Sequence, residues 1–91
     1  MKLIKDENLM RLFDLYKNML SSAQQDFMTD FINHDLTISE IAENKGISRQ
    51  AVNDAIKKAV SKLNDMEKTL GCLKKIVALE KEIADLKRKV N

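Results

Sequence analysis

The residues of this chain that could do chemistry are basic and amide side chains concentrated between residues 45 and 62. Five positive charges and one negative charge occur in that segment, although the whole chain has a net charge of only +2. Arginine pairs with O6 and N7 of guanine, whereas glutamine and asparagine pair with N6 and N7 of adenine. Arg49, Gln50 and Asn53 therefore have side chains suited to reading base edges in the major groove of duplex DNA.

Other polar residues around these three could hold the DNA backbone. Such contacts orient a protein on the duplex without reading its sequence. Asp54 is predicted at the edge of the face, where its charge would repel phosphate. The same residue types are common on ordinary solvated helix faces, so a surface without a nucleic-acid role stays open as the alternative. The predicted phosphate contacts are Lys45, Lys57, Lys58, Lys62 and, at a helix N-terminus, Ser48.

A short helix and a tight turn are predicted to come before the base-reading residues. Thr37 and Glu40 form a capping-box pattern at the start of this helix. Gly46 supplies the positive φ that ends it. Ala42 offers a small side chain where two helices cross, and Ile47 is expected to fill the corner between them.

A second helix, capped by Ser48, is predicted after the turn. Its polar arc faces solvent, because its apolar residues recur at helical spacing on the opposite side. Helix, glycine turn and helix together predict a helix-turn-helix motif over residues 37–63. The predicted buried stripe of the second helix is Val52, Ala55, Ile56, Ala59 and Leu63.

Two more helices are predicted upstream of this motif. Apolar residues at spacings of three and four indicate one helix over residues 6–20 and another over residues 22–34. The second of these begins at Ser21 or Ser22, with Gln25 three residues after Ser22 completing a capping-box pattern. The aromatic residues are predicted to pack in the core rather than to stack on bases: Phe13, Tyr16, Phe27 and Phe31.

The segment over residues 72–91 has a different periodicity from the helix before it. Gly71 interrupts the earlier stripe, and residues 1–71 are therefore expected to form the helical domain. Beyond it, β-branched residues at heptad position a and leucine at d favour a parallel two-stranded coiled coil. The alternative is that this helix packs within its own chain. The predicted dimerisation seam is Cys72, Ile76, Leu79, Ile83, Leu86 and Val90.

Charged residues beside the seam agree with a parallel homodimer. Lys75 would lie opposite Glu80 of a second copy, and Glu82 would lie opposite Lys87. Both pairs are attractive. Leu73 lies on a second apolar edge of this helix, which suggests that its first half packs on the domain and its second half faces a partner.

Several classes of site are not expected. Cys72 and His34 are the only cysteine and histidine, whereas a structural zinc site needs four ligands. Gly46 and Gly71, the two glycines, are 25 positions apart, so they cannot form a glycine-rich phosphate-binding loop. We therefore expect no metal, cofactor or catalytic residue, no disulfide, no membrane insertion, and a cytoplasmic location.

Three stretches of the sequence resemble the YlxM family of small bacterial proteins: LFDLYKNML (Leu12–Leu20), TISEIAENKGISRQAVNDAIKKA (Thr37–Ala59) and EKTLG (Glu67–Gly71). The resemblance implies an all-α fold whose helix-turn-helix is similar to the sigma-factor domain that reads the minus-35 promoter element. It also implies a regulator encoded beside the signal-recognition-particle GTPase and acting in that pathway. Carried over by motif position, the DNA contacts would be Ser48, Arg49, Gln50, Asn53 and Lys57.

The interpretation that follows is a dimeric, non-enzymatic, all-α helix-turn-helix protein that binds double-stranded DNA as a regulator of the signal recognition particle pathway. One alternative is an adaptor that uses the same basic face to bind the signal-recognition-particle GTPase or its RNA. A second alternative is a coiled-coil scaffold in which Arg49 has no role.

Overall fold

The computed structural model describes residues 4–90, and no strand occurs among them. Residues 1–3, which the prediction includes in the helical domain, and residue 91 lie outside the described part of the chain. The all-α prediction is confirmed. The α-helices are α1 (Glu7–Tyr16), α2 (Ser22–Met28), α3 (Ile38–Lys45), α4 (Arg49–Leu70) and α5 (Cys72–Val90).

Helix α1 is shorter than the apolar spacing predicts. It begins after Asp6, whose Oδ1 atom accepts a hydrogen bond from the backbone N–H of Leu9 at 2.9 Å. At Tyr16 the backbone leaves the α conformation (φ −113°, ψ 3°), and a 3₁₀ turn follows over Lys17–Met19. This change turns Leu20 into the core, whereas Met19, predicted on the buried stripe, is 54% exposed.

Helix α2 begins at Ser22 as predicted, and its N-cap is Ser21, one of the two predicted caps. Ser21 and Gln24 form the capping box. The backbone N–H of Gln24 donates to the Ser21 Oγ atom at 3.1 Å, and the backbone N–H of Ser21 donates to the Gln24 Oε1 atom at 3.0 Å. The prediction of a Ser22–Gln25 box is wrong, because Ser22 is already helical and the Gln25 side chain donates to the Leu20 carbonyl instead. A π-helical turn over Thr29–Asn33 extends α2 to its end at His34, as predicted.

The core lies where α1, α2 and α3 pack around the first part of α4. The predicted stripe of α4 is confirmed at Val52, Ile56, Ala59 and Leu63, while Ala55 is half-buried and the unpredicted Val60 is buried. The aromatic residues pack in or against this core, as predicted. The core residues are Leu9, Leu12, Phe13, Tyr16, Leu20, Met28, Phe31, Ile32, Ile41, Ala42, Val52, Ile56, Ala59, Val60, Leu63 and Leu73.

A single glycine joins α4 to α5. Gly71 adopts the left-handed conformation (φ 64°) and ends α4, as the interrupted stripe predicts. The Glu67 carboxylate then accepts hydrogen bonds from the backbone N–H groups of Leu73 (3.0 Å) and Lys74 (3.0 Å) and from the Tyr16 hydroxyl (2.8 Å). An anion at a helix N-terminus is favoured by the free N–H groups and the helix dipole. Glu67 therefore fixes the start of α5 against α1 and α4.

This cluster of hydrogen bonds shifts the pKa values of its two ionisable groups, Tyr16 and Glu67. Burial and the hydrogen bond to Glu67 hold the pKa of the Tyr16 hydroxyl well above its ordinary value. Burial alone would raise the pKa of Glu67, but the N–H groups of Leu73 and Lys74 and the Tyr16 hydroxyl together lower it. The charged form of Glu67 is thus the form that the folded protein prefers.

Helix α5 makes the molecule elongated. The described chain measures 56 × 26 × 23 Å and has a radius of gyration of 16.1 Å, whereas a compact domain of this length has about 12 Å. Leu73 is buried and Ile76 is half-buried near the start of α5, but the residues from Leu79 onward are exposed apart from Asp85. The second half of α5 therefore extends away from the core.

Candidate nucleic-acid interface

The turn between α3 and α4 has the geometry that the sequence predicts. Thr37 and Glu40 form the predicted capping box at the start of α3. Gly46 has φ 68° and ψ 34°, and the backbone N–H of Ile47 donates to the Ala42 carbonyl at 3.1 Å. Such hydrogen bonds satisfy the last carbonyls of a helix and let the chain reverse over three residues. The helix-turn-helix is confirmed as a structural motif.

Ile47 does not fill the corner of this motif. Its side chain is 40% exposed, because Ile41, Ala42 and Val52 already occupy the space between α3 and α4 and all three are buried. Ile47 instead lies on the surface beside the first turn of α4. An apolar side chain at such a place can contact the methyl group of thymine. In the sequence, this contact could have been predicted from the apolar Ile47 directly before the helix cap Ser48.

Ser48 caps the N-terminus of α4 as predicted. Its Oγ atom accepts a hydrogen bond from the backbone N–H of Ala51 at 3.0 Å. The hydroxyl proton is not used in this bond and can still be donated to an anion. The first N–H groups of α4 lie at the same end, where the helix dipole favours a phosphate.

The predicted base-reading residues all lie on the first two turns of α4. Arg49 and Gln50 are exposed, whereas Asn53 is half-buried. The Gln50 amide nitrogen donates to the Asp54 carboxylate at 3.1 Å. This contact takes one donor of Gln50 and leaves its carbonyl oxygen and the other N–H available for a base.

Asp54 lies at the centre of the exposed face rather than at its edge. At about 100° per residue it is opposite the middle of the buried stripe, and Gln50, Lys58 and Ser61 flank it, all exposed. The prediction misplaced the face because it was drawn around Arg49, Asn53 and Lys57 and not opposite the buried stripe. The angle of about 100° per residue, applied to that stripe, was the signal that could have placed Asp54 correctly.

The four predicted phosphate-binding lysines differ in their contacts with the rest of the chain. Lys45 lies 3.6 Å from a carboxylate oxygen of Asp30, and its ammonium group is 4.9 Å from the centre of the Phe27 ring. Lys58 and Lys62 are exposed and Lys57 is half-buried. Within residues 4–90, none of these last three takes part in a side-chain ion pair. These three lysines can therefore move to contact a phosphate without breaking an ion pair.

A shallow groove of about 250 Å³ lies beside this face, between α2 and α4. It was not expected from the sequence, because it depends on how α2 packs against α4. The groove opens next to the Gln50 and Asp54 pair, and Lys58 lies on its rim. Its lining residues are Ala23, Gln24, Phe27, Ala51, Asp54, Ala55 and Lys58.

Other kinds of site have little support in residues 4–90. No group of three or more histidine, cysteine, aspartate or glutamate side chains there is disposed to hold a metal ion. Cys72 is a free, half-buried thiol, and its backbone N–H donates to the Tyr16 hydroxyl at 3.3 Å. None of the helices described is both long and apolar enough to cross a membrane.

Comparison with known proteins places this chain among others of the same type. Residues 3–91 match the UPF0122 family, described as "Putative helix-turn-helix protein, YlxM / p13 like". A UPF0122 protein of Fusobacterium nucleatum is 38% identical over 87 residues, which cover 93% of this chain and 84% of that protein. UPF0122 proteins of Bacillus cereus and Bacillus anthracis are each 36% identical over 80 residues, covering 88% of this chain and 73% of theirs. With the motif at residues 37–63 present in its structure, the chain belongs to the YlxM/p13-like helix-turn-helix family, UPF0122.

Proposed function

We propose that this protein binds double-stranded DNA through the first half of α4 and acts as a non-enzymatic regulator. The observation that carries the proposal is the exposed Arg49 and Gln50 pair on the first turn of α4, directly after the Gly46 turn. In helix-turn-helix proteins the N-terminal part of the second helix enters the major groove. Membership of a helix-turn-helix family supports the same use of this surface.

Each polar residue of the face has a proposed role. Arg49 reads guanine, and Gln50 and Asn53 read adenine. Ser48 and the N-terminus of α4 hold one phosphate. The lysines orient the protein on the duplex without adding sequence preference: Lys45, Lys57, Lys58 and Lys62.

The biological setting is part of the proposal. The resemblance to the YlxM family supports a motif similar to the minus-35-reading domain of sigma factors and a role in the signal recognition particle pathway. The protein would then act in the cytoplasm, where its DNA is. A homodimer would present two copies of α4 to the duplex and would favour paired half-sites.

A second candidate is an adaptor that binds the signal-recognition-particle GTPase or its RNA through the same face. Within this candidate, the position of Asp54 favours the GTPase over the RNA, because a carboxylate at the centre of the face reduces its attraction for the phosphates of either nucleic acid. The net charge of +2 is also low for a protein that binds DNA by charge alone. Arg49 distinguishes the two candidates, because only base reading requires a bidentate side chain there.

Fluorescence anisotropy with duplex DNA from the protein's own operon tests the proposal. We expect selective binding over a scrambled duplex and a slope of log K against log salt of roughly −4 for each chain bound, from four lysine contacts per chain. Arg49→Ala should reduce the discrimination between the two duplexes by about 1–3 kcal/mol. Lys68→Ala is the matched control, because Lys68 is an exposed basic residue of the last turn of α4.

Two results would overturn the proposal. Equal binding to the scrambled duplex would show that the protein does not read sequence. Absence of binding at low salt would show that DNA is not the ligand. Binding of the isolated signal-recognition-particle RNA or GTPase by the same protein, with Arg49→Lys as active as the wild type, would then favour the adaptor.

A further inference from the structure

A row of exposed apolar side chains runs along the second half of α5. Leu79, Ile83 and Leu86 are 56%, 53% and 59% exposed, and Val90 is 85% exposed. They follow one another at spacings of four, three and four, so they share one side of the helix. Rows of this size on a protein surface mark interaction sites. We call these four residues the α5 row.

The α5 row is shorter than the predicted seam because the first two seam residues are covered by their own chain. Cys72 is half-buried and packs against the core. Ile76 is also half-buried, and it lines a groove with Arg11 and Leu15 of α1. The surface open to a partner therefore begins at Leu79.

The second half of α5, which carries this row, makes few contacts with the rest of its chain. An isolated helix of about a dozen residues is only marginally stable in water. The start of α5 is fixed by Glu67 and by an ion pair of 2.9 Å between Arg11 and Glu80. Beyond Glu80, the only side-chain ion pair among the described residues is the local one between Asp85 and Arg88. A partner that covers the α5 row would stabilise this part of the helix.

The charges beside the row indicate what the partner is. Glu82 precedes Ile83 at heptad position g, and Lys87 follows Leu86 at position e. In a parallel pair of α5 helices, Glu82 of each copy lies opposite Lys87 of the other, and Lys75 lies opposite Glu80. We propose that the α5 row pairs in parallel with the α5 row of a second copy of this chain.

Full antiparallel overlap of two α5 helices would bring like charges together. Position g then faces g and position e faces e, so Glu82 would face Glu82 and Glu80 would face Glu80. In the parallel pair, Glu80 keeps its contact with Arg11 of its own chain, which uses one carboxylate oxygen. The second oxygen can accept from Lys75 of the other copy. Charge complementarity therefore excludes full antiparallel overlap and agrees with the parallel arrangement, which β-branched residues at position a and leucine at position d also favour.

The first test is the mass of the full chain in solution, measured by sedimentation equilibrium without DNA from micromolar to millimolar concentrations. We expect a monomer–dimer equilibrium. Leu86→Lys should raise the dissociation constant about tenfold or more, because it puts a charge in place of a leucine that the proposed dimer buries. Lys81→Ala on the outer side of α5 is the matched control and should leave the constant unchanged. Circular dichroism of both variants checks that they remain folded.

The second test distinguishes parallel from antiparallel pairing by exchanging charges. Glu82→Lys and Lys87→Glu should each weaken the dimer, because each places like charges opposite one another. The double variant restores two attractive pairs in a parallel dimer, so its dissociation constant should return close to that of the wild type. The two single variants, when mixed, should form a heterodimer in preference to either homodimer.

An antiparallel dimer gives the opposite pattern. Overlap of residues 79–90 alone would pair Glu82 with Lys89 and Glu80 with Lys87. The double variant would then bind more weakly than either single variant. That result, or a monomer at every concentration, would overturn the proposal. Both tests are made without DNA, so their failure is distinct from a failure of DNA binding.

Discussion

Asp54 is the single residue that most affects how α4 can approach a polyanion. Its carboxylate lies at the centre of the exposed face and accepts a hydrogen bond from Gln50. A unit charge about 4 Å from a phosphate costs about 1 kcal/mol in water. In the proposed complex Asp54 would therefore lower affinity for every DNA sequence, and its hydrogen bond restricts the orientation of Gln50.

Asp54→Asn should raise affinity for duplex DNA of any sequence. We expect about a fivefold gain, because one repulsive charge is removed. Fluorescence anisotropy against the own-operon and the scrambled duplex measures both affinities. Asp65→Asn, the same change at an exposed position further along α4, should have little effect. A loss of affinity on both duplexes in Asp54→Asn would contradict this account of the face.

Gly46 is required for its backbone conformation and not for lack of space. Its φ is +68°, and no atom lies within 4 Å of a Cβ placed on it. Gly46→Ala should therefore destabilise the protein by about 1–2 kcal/mol, the cost of left-handed backbone in a residue with a side chain. Urea unfolding measures this change.

Gly71→Ala serves as the comparison for Gly46→Ala. Gly71 has φ +64° and also has no atom within 4 Å of an added Cβ. The two substitutions should cost the same within a few tenths of a kcal/mol. A neutral Gly46→Ala would mean that the turn can adopt another conformation.

At the residue level, the sequence predicted caps and turns better than it predicted which side chains meet. Ser48, Thr37 and Gly46 behave as predicted because their roles depend on neighbours within a few residues. Lys45 does not follow this rule. Its contacts with Asp30 and Phe27 join α3 to the preceding helical segment, and such contacts depend on packing that local spacing does not reveal.

At the level of elements, the joint between α4 and α5 determines where the C-terminal helix lies. The sequence indicated the break at Gly71 but not the Glu67 carboxylate that follows the break. The end of α1 was also misplaced, because the apolar spacing continues through the 3₁₀ turn, whereas α2 begins at Ser22 as predicted. Leu20, which follows the 3₁₀ turn, is buried in the core.

Glu67→Gln should remove a pH dependence of stability that the wild type has. The folded protein lowers the pKa of Glu67 below its ordinary value of 4.5. The ionised carboxylate therefore contributes stability above about pH 4.5, and this contribution is lost as the pH falls through the lower folded value. Thermal unfolding from pH 7 to pH 3 should show the two proteins converging at low pH.

Asp65→Asn is the control for this pH series. Asp65 is an exposed carboxylate two residues away on α4, and the described residues include no ion pair to it. Its substitution should leave the stability curve close to that of the wild type. An equal pH dependence in Glu67→Gln and the wild type would contradict the role of the Glu67 cluster.

At the level of the whole molecule, α4 separates the proposed DNA-reading residues from α5, the proposed pairing helix. Arg49 and Gly71 lie at opposite ends of α4, which makes them about 30 Å apart at 1.5 Å per residue. A dimer formed through α5 would hold two recognition faces at a fixed separation. Binding to DNA and pairing of chains would then depend on different residues but reinforce each other.

Leu86→Lys should change DNA binding although Leu86 is far along the chain from the recognition face. A monomer makes half of the phosphate contacts of a dimer, so the slope of log K against log salt should fall to about half of the wild-type slope. Salt titrations by anisotropy at a concentration where the wild type is dimeric measure both slopes. An unchanged slope would contradict the dependence of DNA binding on pairing.

The most direct test of the central claim is enrichment of bound sequences from a pool of random duplexes, carried out in parallel with the wild type, Arg49→Ala and Lys68→Ala. The account predicts that the wild type and Lys68→Ala enrich the same motif. It predicts that Arg49→Ala loses the guanine preference at one position of that motif while it still binds DNA. Enrichment of no motif by the wild type, or of an unchanged motif by Arg49→Ala, would contradict the claim that α4 reads DNA through Arg49.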